Sequence, residues 1–201
     1  DVERSRGLGD VYKRQFMDFN LTEQQLMMQK LFREVAQNEV KENAADVDEN
    51  ERFPKESVEV MRQAKMLGIP YSREYGGAGA DYLCYILAIE ELSKTCATSG
   101  VVLSAHTSLG TWPIAQFGTE EQKQRFLTDL CTGKKLAAFG LTEPNAGTDA
   151  AGQQTTAVLD GDEYVINGTK IFITNAGEAD VYVIFAMTDK TKAVSYTHLR
   201  A

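Results

Sequence analysis

The apolar period of this chain changes once, at Gly133-Lys134-Lys135, and that change limits what it can fold into. Before it, apolar residues recur every three or four positions, as one face of a helix requires; after it they alternate, as a half-buried strand requires. Helices first and strands second is the order of an α+β chain, with a helical bundle leading into an antiparallel β region.

The helical part is well punctuated. Thr22 and Gln25 have capping-box spacing, and Met28, Leu31, Phe32, Val35 and Ala36 follow as one stripe. Pro54 opens a second helix with Val58, Met61, Ala64 and Leu67 on its inner face and Gly68 at its end. Residues 82–94 form a third, with Tyr82, Tyr85, Ile86, Ile89 and Leu92 at helical spacing. Its Glu90 and Glu91 point about 100° apart and so read as surface residues rather than paired carboxylates. Residues 98–114 are apolar almost all round, which places them at the centre of a bundle. Thr119 and Gln122 repeat the capping-box spacing ahead of Phe126, Leu127 and Leu130.

Short strands are predicted over 155–159, 163–166, 170–174 and 181–186, with Asp160-Gly161 and Asn167-Gly168 as hairpin signals. No internal repeat is visible, and the glycine fingerprint of a dinucleotide-binding βαβ unit is absent.

With 29 acidic against 21 basic residues, the net charge of -8 argues against general affinity for nucleic acid or an anionic membrane. No apolar run approaches the roughly 18 residues of a membrane span. Cys84, Cys96 and Cys131 are odd in number without metal-type spacing, which fits reduced thiols and a cytoplasmic setting. His106, inside the apolar helix, reads as a satisfied core histidine.

The stretch Phe139-Gly140-Leu141-Thr142-Glu143-Pro144-Asn145-Ala146-Gly147-Thr148-Asp149 is a strand stopped by a proline and continued as a turn of small, hydroxylated residues. Gly147 suits either positive φ or close approach of a ligand to the main chain. An ordinary strand exit with an Asx turn accounts for the same residues. The glycines of Glu74-Tyr75-Gly76-Gly77-Ala78-Gly79 read as a flexible turn, with ligand contact as the alternative.

The run FGLTEPNAGTD, with KIFITNAG at 170–177 downstream, closely resembles the two flavin-binding segments of the acyl-CoA dehydrogenases, the short-chain, butyryl-CoA type above all. The resemblance runs from about Met17 to Lys192 through FNLTEQQ, EYGGAGADY and FGTEEQKQRFL. It implies FAD as cofactor, a short-chain acyl-CoA thioester as substrate, and electron-transferring flavoprotein as electron acceptor. A homotetrameric parent protein in fatty acid metabolism is also implied. Related acyl-CoA oxidases and flavin monooxygenases, or a non-catalytic acyl-CoA-binding protein on the same scaffold, are the alternatives.

Carried over by position, the resemblance puts Phe139, Gly140, Leu141 and Thr142 along the flavin ring, with Thr142 on its pyrimidine edge. Gly147 and Thr148 would approach the pyrophosphate, Thr148 also the acyl-CoA. Phe172, Ile173 and Thr174 would form a second wall, with the Thr174 hydroxyl near N5; many relatives have tryptophan where this chain has Phe172. No catalytic residue and no metal ligand is assigned, because the family's base is a glutamate in a C-terminal helical domain expected to be missing here.

The expected organisation is therefore a helical domain over residues 17–133 and a partial, flavin-binding β domain over 134–192. Residues 1–16, with GDVYKRQ, and 193–201, with VSYTHLRA from Val194, resemble translated library-adaptor sequence and are set aside as non-native. On that reading the native frame begins at Met17 and is interrupted near Lys192.

Overall fold

The computed structural model describes residues 19–189 and 197–200. Both expected capping boxes form. Thr22 caps α1 (Glu23–Val35) and Thr119 caps α7 (Glu120–Cys131), each hydroxyl accepting from the glutamine N–H three residues on while that side chain returns a bond. A π-turn at Ala36–Val40 carries α1 into α2 (Lys41–Glu49). Next come α3 (Lys55–Gln63), α4 (Tyr82–Ser93) and α5 (Ala97–Ser104). A π segment, Ala105–Thr111, joins α5 to α6 (Trp112–Phe117).

Four helical expectations are corrected. Helix α3 stops at Gln63 rather than Gly68, because Lys65 turns left-handed at φ 55°. In α4 the inward face is Cys84, Tyr85, Leu87, Ala88, Glu91 and Leu92, whereas Tyr82 and Ile86 are half exposed. Glu91 is therefore not a surface residue: it is 3% exposed and takes both nitrogens of a bidentate Arg33 at 3.0 and 2.9 Å, with Lys94 at 3.1 Å. Arg33 and then Lys94 hold its carboxyl below the usual range against the cost of burial. The apolar run at 98–114 is central but not dry all round, since Val101, Leu109 and Trp112 are substantially exposed.

The β part has β1 (Ala137–Gly140), β2 (Thr156–Asp160), β3 (Glu163–Asn167), β4 (Val181–Met187) and β5 (Thr197–Arg200). The α+β order holds, while the sheet is mixed rather than wholly antiparallel. β2–β3 and β4–β5 are antiparallel; β1–β4 and the single β2–β4 contact are parallel. Thr197–Arg200, set aside in the sequence reading, pairs with β4. Residues 1–18, 190–196 and 201 lie outside the described set.

The β2–β3 turn forms as expected, with Gly161 at φ 63°. Asn167-Gly168 makes no hairpin and residues 170–174 make no strand. Parallel pairing of β1 with β4 needs a crossover, and residues 168–180 are its return limb. Phe172 at φ 56° and Asn175 at φ 69° break the extended backbone that a strand needs. The limb instead runs back beside β1, donating from Ile171 N to Thr142 O at 2.9 Å and from Asn175 Nδ2 to Ala137 O at 2.9 Å.

Helix and sheet meet at Ala137. Its N–H donates to His106 Nδ1 at 3.0 Å, and His106 Nε2 lies 3.2 Å from Leu130 O, so both ring nitrogens of this fully buried residue are engaged. That bears out the core reading of His106. Burial pushes its pKa down to about 4. Gly110 allows this close approach: a Cβ there would sit 2.4 Å from Ala137 Cβ. Cys84, Cys96 and Cys131 are free and buried.

Candidate functional site

The crossover brings the two sequence motifs together. Phe139, Leu141 and Thr142 from the end of β1 and Phe172, Ile173 and Thr174 from the return limb line one cleft of about 180 Å³, closed on its helical side by Ala105 and Leu109. Six of the nine candidate residues thus share one concavity. Gly140 is buried beside it for a packing reason, since a Cβ there would come 2.6 Å from Ile184 Cδ1. Gly147 and Thr148 are exposed on the following loop and outside the lining. Gly147 is not in the left-handed region, so the positive-φ option is dropped; nothing lies within 4 Å of where its Cβ would be, which leaves the backbone open to approach.

Two residues that the sequence reading passed over hold the motifs in register. Glu143 and Lys170 form a buried ion pair at 2.8 Å, with side chains 4% and 9% exposed. Lys170 Nζ also donates to Leu141 O at 2.8 Å and Gln153 Oε1 at 3.2 Å, while Glu143 accepts from the N–H groups of Thr155 and Gln154. Burial alone would push the Glu143 carboxyl up. The Lys170 ammonium and the two N–H groups outweigh it and hold the pKa at about 2. Main-chain bonds between Glu143 and Ala146 in both directions close the Pro144-Asn145 tip. The signal available in the sequence was a charge of opposite sign set directly against the hydroxylated or apolar residues of each motif, Glu143 after Thr142 and Lys170 before Ile171; the first motif's other charge, Asp149, stands at its far, exposed end.

Phe172 is the unusual member. A bulky residue at positive φ is strained, and this residue is 88% exposed beside the cleft, so burial among the described residues offsets little of that strain. Apolar ring faces, two threonines and a presented aromatic make a lining suited to a planar ligand with apolar faces and a polar rim. The chemistry of the lining therefore fits a flavin ring. Among the described residues no group of histidine, cysteine and acidic side chains could hold a metal ion, and no helix is long and apolar enough to cross a membrane.

Comparison with known proteins shows the family and the fold. Residues 22–134 match the acyl-CoA dehydrogenase N-terminal domain and residues 138–199 the middle domain. The chain is 64% identical over 176 residues to the short-chain specific acyl-CoA dehydrogenase of Clostridium acetobutylicum, covering 88% of this chain and 46% of the relative. It superposes on the butyryl-CoA dehydrogenase of Megasphaera elsdenii with TM-score 0.84 at 48% identity, covering 88% of this chain and 47% of the other. An acyl-CoA dehydrogenase from Bacillus anthracis complexed with FAD gives TM-score 0.78 at 37% identity, covering 85% of this chain and 30% of the other. The chain spans about half the length of the curated relatives it matches.

Proposed function

This chain belongs to the acyl-CoA dehydrogenase family, and from that premise we propose that it supplies the flavin-binding wall of an FAD-dependent enzyme oxidising the Cα–Cβ bond of a short-chain acyl-CoA. The observation that carries the reading is the convergence of Phe139, Leu141, Thr142, Phe172, Ile173 and Thr174 on one cleft. When bound, FAD supplies the hydride acceptor that no side chain can provide.

The protein's own residues bind and orient. Phe139, Leu141 and Phe172 cover apolar ring surface and exclude water from it; Thr142 and Thr174 offer hydroxyls to the polar edge. Gly147 and Thr148 lie on the loop proposed to meet the pyrophosphate, Thr148 also the acyl-CoA. Glu143, although it follows Thr142 directly, is engaged by Lys170 and two N–H groups with its pKa held at about 2, so it is a tie between the motifs and not a proton acceptor. No residue of this chain is assigned to α-proton removal. Electron-transferring flavoprotein as acceptor, a tetrameric parent and a cytoplasmic setting belong to the same proposal, supported by the kinship.

Titration of FAD against the 201-residue chain, followed by flavin fluorescence, tests the reading. Weak binding that is lost in Thr174→Val and Leu141→Trp, with no butyryl-CoA turnover, is expected. Binding unaffected by either substitution would place the flavin elsewhere.

A further inference from the structure

Asn167-Gly168 is the only Asn-Gly pair among the seven asparagines of the chain. It ends β3, the outer strand of the sheet order β1–β4–β2–β3. Asn167 makes the last pair with β2, opposite Thr156, and Gly168 follows outside the ladder. Residues 167–169 are all exposed. Among the described residues, neither the Asn167 carboxamide nor the Gly168 N–H takes part in a hydrogen bond.

Packing explains why a glycine stands there. A Cβ on Gly168 would lie 2.2 Å from Thr155 Oγ1 and 2.7 Å from Thr155 Cα, and Thr155 is itself buried. The same missing Cβ takes the steric shield from the Gly168 nitrogen and frees the backbone to turn toward the preceding side chain. The other asparagines lack that combination. Each is followed by a residue with a Cβ; Asn38 and Asn43 stand within helical segments, and Asn175 is buried with its Nδ2 held by Ala137 O.

We propose that Asn167 is a site of spontaneous covalent modification, its side-chain amide being lost through a succinimide ring closed with Gly168. The Gly168 nitrogen bonds to Asn167 Cγ, the Cγ–Nδ2 bond breaks, and Nδ2 leaves as ammonia with the Gly168 proton. Water then opens the ring at either carbonyl, leaving an aspartyl or an isoaspartyl linkage and one new carboxylate. No electrons change hands. Opening of the strand end is enough to bring the nitrogen to Cγ, and the last pair of an outer strand frays at little cost. The isoaspartyl product carries an additional methylene in the main chain between β3 and Lys170. The site is separate from the flavin cleft, whose lining includes neither residue.

The test holds the 201-residue chain in mildly alkaline buffer, folded and in parallel in guanidinium. Samples taken over time are digested with a glutamate-specific protease at acidic pH, where the ring no longer forms. The peptide 164–178 carries both Asn167 and Asn175, so one mass spectrum compares them. In the folded chain Asn167 is expected to acquire the mass of an acid about tenfold faster than Asn175, and at a rate within about tenfold of that in guanidinium. An isoaspartyl carboxyl methyltransferase applied to the digest reads the isoaspartyl share of that peptide. Asn167→Gln, whose longer side chain closes the larger ring with difficulty, is expected to lose that signal. Conversion at Asn175 as fast as at Asn167, an isoaspartyl signal in the peptide undiminished by Asn167→Gln, or conversion confined to the guanidinium sample would each overturn the proposal.

Discussion

Lys170 Nζ lies 2.8 Å from Glu143 Oε1 although the two residues come from opposite limbs of a crossover, and both side chains are buried. A pair of this kind is tightly conditional: either charge left alone in that place is costly, while removing both is tolerated. Lys170→Met is expected to cost about 3–5 kcal/mol, and Glu143→Gln with Lys170→Met considerably less than the sum of the single changes. Urea unfolding of the four proteins gives the coupling, and additivity would show the pair to be incidental.

The same carboxyl sets an acid limit. Its folded pKa, about 2, lies below the ordinary 4.5, so its stabilising contribution is complete above the unfolded value and is lost as pH falls through the folded one. The shift is equivalent to about 3 kcal/mol. Unfolding free energy should decline between about pH 4.5 and pH 2, and the slope in that window should flatten in Glu143→Gln.

His106 acts at higher pH. Buried neutral with its pKa lowered to about 4, it favours the folded state above its unfolded value near 6.5, and that advantage disappears as pH drops to 4. Glutamine offers the same acceptor and donor pair to Ala137 N and Leu130 O. His106→Gln should cost about 1 kcal/mol at pH 7 and abolish the dependence between pH 6.5 and 4, which thermal melts across that range will show.

Phe172 gives the opposite sign. With φ at 56° and the side chain 88% exposed, its replacement by glycine removes strain and sacrifices almost no packing. Phe172→Gly should stabilise the ligand-free chain by about 1 kcal/mol while weakening any ring-shaped ligand in the neighbouring cleft. Chemical denaturation and FAD titration on the same preparation read both effects.

At Gly140 the constraint is one methyl group. Gly140→Ala brings a Cβ to 2.6 Å from Ile184 Cδ1 and is expected to cost about 1–3 kcal/mol. Ile184→Val deletes that atom, so the double variant should recover most of the loss, measured again by denaturant midpoint.

What the sequence disclosed was local. Thr22 with Gln25 and Thr119 with Gln122 act within one helical turn, and Gly161 turns a hairpin whose strands are adjacent, so spacing alone revealed them. Burial of Glu91 depends on Arg33, 58 residues earlier, and the Glu143–Lys170 tie spans 27 residues. Neither separation leaves a periodic trace. The run Ile171-Phe172-Ile173-Thr174, β-branched and aromatic, looks like a strand because composition records side-chain type and not the sign of φ at Phe172. The candidate cleft was legible by motif, yet the reason for its shape, a limb returning beside β1, belongs to topology.

The attachment of Ala137 has one more consequence. Its N–H goes to the His106 imidazole and its carbonyl to the Asn175 carboxamide, so two side chains stopper the outer margin of β1. An open margin would invite a stray strand from another molecule; here that docking edge is sealed where β1 begins, and fibril-like stacking against the head of the strand is denied a foothold.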